Sequence, residues 1–80
     1  MTVRDEILAA LPEIRARFGS EDFTPRDVIL VLQGRGTKYS EGTIRTHVVS
    51  RMCADAPDHH AHVYDDLERV SPGRYRARRG

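Results

Sequence analysis

Residues 40–52 read SEGTIRTHVVSRM, and the way this stretch folds decides what surrounds it. Ser40 is a good helix N-cap residue, because its hydroxyl can accept from a first-turn amide. Ile44, Val48 and Met52 follow at i, i+4 and i+8, the spacing of one helix face, so a helix is expected over 41–54. At about 100° per residue, the opposite face centres on Thr46. Gly42, Thr43, Val49 and Ser50 flank it, with Arg45 at its edge. Cys53 also falls on the outward side. Arg51 falls close to the inward direction and is expected to snorkel at the helix end. A plain solvated face would favour Glu, Lys and Gln, which form helices better than threonine does. Short hydroxyls with one arginine suit a groove better than open water.

Working outward, GRGTKYS (34–40) is a turn with two glycines leading into Ser40. Before it, TPRDVILVLQG carries Thr24 as N-cap, Pro25 at the first helical position and Asp27 in the first turn. A helix over 25–33 is expected, with Val28, Ile29, Val31 and Leu32 buried. DFT (22–24) is long enough only for a bridge-like strand that drops Phe23 into the core. The first segment sets Val3, Ile7, Leu11, Ile14 and Phe18 on one stripe, so a helix over 2–18 is expected. Pro12 lies inside it and predicts a kink or a break. DAPDHHAH (55–62) is a polar connection, and 63–78 reads as a β-hairpin around Ser71-Pro72-Gly73. Pro-Gly favours a type II turn, which is not the usual two-residue hairpin turn, so the strand register stays open.

Eighty residues make one small domain over 1–80, 39% hydrophobic and 31% charged. The single cysteine allows no internal disulfide and suits a reducing interior. Without an apolar run long enough for a membrane span or a signal peptide, a cytoplasmic, membrane-free protein is expected. Net charge is only +1, but its distribution is sharp. Residues 54–66 hold Asp55, Asp58, Asp65 and Asp66 with no Lys or Arg, whereas 69–80 hold Arg69, Arg74, Arg76, Arg78 and Arg79 with no acid. That split points to an anionic partner for the C-terminal end, against the simpler reading of a solvated basic tail.

Helix, tiny strand, helix, turn, helix and hairpin together resemble a winged helix-turn-helix domain, an α+β fold of three helices with a C-terminal hairpin wing. The strings FTPRDVILVL, YSEGTIRTHVVSRMCADAP and YDDLERVSPGRYR also resemble small bacterial winged-helix domains found alone or beside restriction-type and HNH nucleases. The resemblance implies a double-stranded DNA-binding protein, a transcription regulator or DNA-targeting module, whose third helix enters the major groove. Gly42, Thr43, Arg45, Thr46, Val49 and Ser50 would then face bases and phosphates, with Arg35 and Lys38 as clamps in the preceding turn. Arg69, Arg74, Arg76 and Arg78 would lie along the backbone. Four such wing contacts imply a salt slope of about −4 or steeper. A second copy on a palindromic site, or a separate effector protein, would be a further partner.

The main alternative is a winged-helix protein-interaction module, with Val49, Cys53 and the acidic 55–66 segment docking another protein. Cys53, His59, His60 and His62 match no standard zinc spacing, so neither a metal nor another cofactor is expected. With neither a phosphate loop nor a nucleophile–base pair at recognisable spacing, the chain is not expected to be an enzyme. The adjacent Asp65 and Asp66 would face opposite ways on a strand and could not act together. Tyr39 reads as a core or edge aromatic, and His47 as a boundary residue on the flank of the third helix whose protonation would tune DNA affinity.

Overall fold

The computed structural model describes residues 2–53 and 66–78. Each helix begins where its cap dictates. Helix α1 (Val3–Phe18) opens on a capping box. The Thr2 hydroxyl accepts from the Asp5 amide at 3.2 Å, and the Asp5 carboxylate accepts from the Thr2 amide at 3.1 Å. It stops at Gly19, which takes the left-handed φ of 68° that only glycine adopts without strain. Thr24 and Asp27 build the same box for α2 (Pro25–Gly34), with proline at the first helical position. Ser40 caps α3 (Glu41–Thr46) through the Thr43 amide.

Three strands complete an antiparallel sheet in the order β1-β3-β2: β1 (Asp22–Phe23), β2 (Leu67–Ser71) and β3 (Arg74–Ala77). Phe23 pairs with Tyr75 and Leu67 with Ala77, so Phe23, Leu67 and Tyr75 turn inward on one face. Asp22 and Glu68 both pair with Arg76 and fall on the other face, since side chains alternate along a strand. The inner face closes on Ile7 and Ile14 of α1, Val28 and Leu32 of α2, and Ile44 and Val48. Each such side chain contributes about 1.5–3 kcal/mol on full burial. The fold is therefore a small α+β domain, with helices on one side of a three-stranded sheet.

Several expectations need correction. The third helix does not run as an α-helix to residue 54. It widens into a π-turn over His47–Arg51, closed by the Met52 amide donating to the His47 carbonyl at 2.8 Å, and residue 54 lies outside the described residues. A π-turn advances each residue by less than the α-helical angle. This lag lets Val48 and Met52 both point inward, fully buried, while Arg51 swings out to solvent. Arg51 therefore has no need to snorkel. After Met52 the chain leaves the helix and bridges Leu67 through Cys53, whose side chain is 1% exposed. Cys53 is core, not outward surface.

Pro12 does not break α1, which is continuous past it. The proline sits on the exposed side, where its missing N–H is tolerated. Phe18 leaves the α1 stripe at the helix end and is exposed, with the Arg17 guanidinium 5.8 Å from its ring centroid. The hairpin register, which the sequence leaves open, pairs Arg69 with Tyr75, and a bulge between Arg69 and Ser71 leaves Val70 exposed. Gly73, with φ 76°, supplies the positive angle of a type II turn. The bulge absorbs the mismatch between that turn and the strand twist. Residues 63–65 of the expected hairpin lie outside the described residues.

Candidate nucleic-acid interface

The exposed side of α3 gathers the residues expected to read a groove. Arg45, Thr46 and Gly42 are exposed, and Thr43 is half-buried. Ser40, Gly42, Thr43, Thr46 and His47 line one shallow hollow on this face. Its floor is hydrogen-bonded from within. Thr43 Oγ1 lies 3.0 Å from Ser40 Oγ, which also accepts from the Thr43 amide. The Thr43 hydroxyl is thus already engaged in the cap, whereas the Thr46 hydroxyl and the Arg45 guanidinium have no hydrogen-bond or ion-pair partner among the described residues. Gly42 leaves the surface open, since a Cβ there would meet nothing within 4 Å. Glu41, the acid of this helix, accepts from Gln33 Nε2 of α2 at 3.1 Å.

Val49 and Ser50 do not line this hollow. The wider turn brings both to half-burial, and Val49 packs against the core. Together with the burial of Cys53, this withdraws the apolar residues that an outward docking face would have used. Tyr39 is half-buried against the core, as an edge aromatic, and Lys38 lies with its ammonium 5.5 Å from the Tyr39 ring centroid. Arg35 caps α2 and bonds Glu13 of α1, Nε to Oε1 at 2.9 Å.

The basic residues of the hairpin behave differently. On the outer sheet face, Arg74 donates from Nε to Asp22 Oδ1 at 2.8 Å, and its second nitrogen reaches the same oxygen. Arg76 donates to Glu68 Oε1 at 2.7 Å. The Arg74 guanidinium, helped by the Ser20 hydroxyl, holds the Asp22 carboxyl below its usual range, and Glu68 raises Arg76 further. Arg76 lines a separate hollow with Arg15, Glu21, Glu68 and Ala77, to which α3 contributes nothing. Arg69 on β2 and Arg78 beyond β3 are exposed, and the Arg78 amide donates to the Asp66 carbonyl at 2.9 Å. Asp66 in turn accepts both Arg4 Nε and Nη2, at 2.7 and 2.9 Å.

Residues 54–65, which hold His59, His60 and His62 and most of the acidic segment, lie outside the described residues. Among the described residues no group of three metal-ligating side chains gathers, and no helix is long and apolar enough to cross a membrane. Two lining residues, Ser40 and His47, were not among the expected contacts. The signal for His47 was present, because it follows Thr43 by four residues and so shares its side of the helix.

A family model described as a domain of unknown function, DUF7669, matches residues 6–77. The chain belongs to that family. The match runs from the first turn of α1 to the last residue of β3, so the family unit is the whole fold, α3 face and hairpin included. No curated protein and no solved structure matches the chain.

Proposed function

We propose that this is a winged-helix domain that binds double-stranded DNA, with α3 entering the major groove and the β2–β3 hairpin serving as wing. The element order α1-β1-α2-α3-β2-β3 and the sheet order β1-β3-β2 are compatible with that architecture. One observation carries the reading. Arg45 and Thr46 stand exposed and unengaged on the short-chained face of α3, while Arg35, Arg74 and Arg76 are held by carboxylates. A guanidinium free of internal partners keeps its full donor set for a guanine edge or a phosphate. The setting is a transcription regulator, or a targeting module beside an effector. The protein-docking alternative has less support, because Val49 is half-buried and Cys53 buried.

The wing contributes less than its arginine count suggests. With Arg74 and Arg76 tied to Asp22 and Glu68, Arg45 and Lys38 are the cations near α3 that no described carboxylate holds. With those two cations neutralising phosphates, the logarithmic salt slope should be about −2. The test is titration of the domain with a random-sequence duplex at two salt concentrations, followed by amide shifts. Shifts over 41–51 and 69–78 that weaken steeply with salt support the reading. Shifts confined elsewhere, or none at low salt, overturn it.

A further inference from the structure

His47 brings an imidazole to the α3 hollow, a ring whose nitrogens donate or accept according to its protonation. Its Nδ1 lies 2.9 Å from the Thr43 carbonyl oxygen. A carbonyl only accepts, so Nδ1 must carry the hydrogen, and this fixes the tautomer of the neutral ring. Nε2 is then a bare acceptor on the opposite edge of a ring that lines the α3 hollow, and no described residue bonds it. Protonation leaves the Thr43 bond in place, because Nδ1 donates in both states. It converts Nε2 from acceptor to charged donor without any movement of the ring.

We infer that His47 is a pH-responsive DNA contact of the α3 surface: when protonated, its Nε2 donates to an acceptor oxygen or nitrogen of the duplex that the neutral ring cannot engage. This rests on the DNA-binding reading above. The charged groups around it permit the switch. The other residues lining the hollow, Ser40, Gly42, Thr43 and Thr46, are uncharged. On α2, the helix packed against α3, Asp27 is held by the Thr24 cap and Arg35 by Glu13, and Arg26 is exposed. Glu41 is bonded by Gln33, and Arg45 and Arg51 on the same helix are exposed. Among the described residues no carboxylate lines the hollow to neutralise the imidazolium, so there the added charge is available to DNA.

The free protein offers a first check. Imidazole nitrogen shifts at pH 8 should show Nδ1 protonated and Nε2 bare, and the reverse tautomer overturns the inference. Binding offers the second. Duplex affinity should rise about fivefold to tenfold between pH 8 and pH 5.5, as one charge-assisted hydrogen bond forms. The salt slope should steepen by about 0.9 over the same range, for one more phosphate neutralised. His47→Gln should bind without that pH dependence, and His47→Arg should bind tightly at both pH values. Both variants are checked for a native amide spectrum. If His47→Gln loses its fold, His47→Arg alone decides. A phosphate contact gives the same gain on A·T-only and G·C-rich duplexes. A guanine contact gives it on the G·C-rich duplex alone, without the full slope change. Binding that does not vary with pH, or pH dependence that survives in His47→Gln through His59, His60 or His62, overturns the role of His47 and leaves DNA binding standing. No binding at either pH overturns both.

Discussion

The outer face of α3 and the outer face of the sheet both carry arginine, yet they are opposite kinds of surface. On the sheet, Arg74 and Arg76 alternate with Asp22 and Glu68 so that each guanidinium is met by a carboxylate across the ladder. On α3, Arg45 stands beside threonine, and the acid of that helix is occupied by Gln33. By count the hairpin is the more basic of the two. By availability the helix is. Cations whose charge is already compensated stabilise the fold and steer little, whereas an unengaged one beside hydroxyls can exchange its water for a partner.

The largest effect that would sharpen this contrast comes from the anchor beneath the helix. Ile44 is fully buried under the α3 face, so Ile44→Ala should lower unfolding free energy by about 2–5 kcal/mol in urea titrations. An effect below about 1 kcal/mol would mean that the helix is not held as described. Next is Arg45→Ala, expected to weaken duplex binding by about 1–3 kcal/mol, most on sites containing guanine. Arg76→Ala should cost about threefold or less in affinity, since Glu68 already compensates its charge. Should Arg76→Ala do more damage than Arg45→Ala, the ranking of the two faces is wrong.

Acid titration of the wild type against Asp22→Asn isolates the sheet face. Asp22 is held below its ordinary value of 3.8 by Arg74 and Ser20. A folded value below the unfolded one means stabilisation that is complete above the unfolded pKa. It is lost as pH falls through the folded pKa. Wild-type stability should therefore drop more steeply than that of Asp22→Asn below about pH 4, while Asp22→Asn is the less stable of the two near neutrality. Parallel curves would show that the Arg74 pair contributes nothing measurable. The smallest effect is expected at Cys53. Its burial predicts slow labelling by a thiol reagent in the native state and rapid labelling in denaturant. Fast native labelling would restore it to the surface.

The elements that local chemistry specifies were legible in the sequence. Thr2, Thr24 and Ser40 with the acids that follow them marked three helix starts, and Pro25 and Gly34 bounded α2 to within a residue. The tiny strand at Phe23 was legible too, because one aromatic between turn residues has little else to do. The π-turn was not, since i, i+4, i+8 spacing describes which residues point inward and not how many residues close each turn. Everything downstream of it therefore slipped in angle, which is why Cys53, Val49 and Ser50 were placed too far out. The availability of the hairpin arginines was equally hidden. Arg74 meets an aspartate 52 positions away, and no local pattern announces such a partner. The hairpin register could not be read either, because a one-residue bulge shifts every side chain beyond it to the other face.

One further consequence follows from the bridge between the end of the third helix and the start of β2. The Leu67 amide donates to the Met52 carbonyl at 2.9 Å, and Arg4 and the Arg78 amide both hold Asp66. The points where the chain departs after Cys53 and returns at Asp66 are thus stapled together by bonds that do not involve the residues between them. The α3 face and the hairpin are set relative to one another by these bonds at the strand–helix junction, so a substitution that loosens Leu67 or Asp66 should disturb both faces at once.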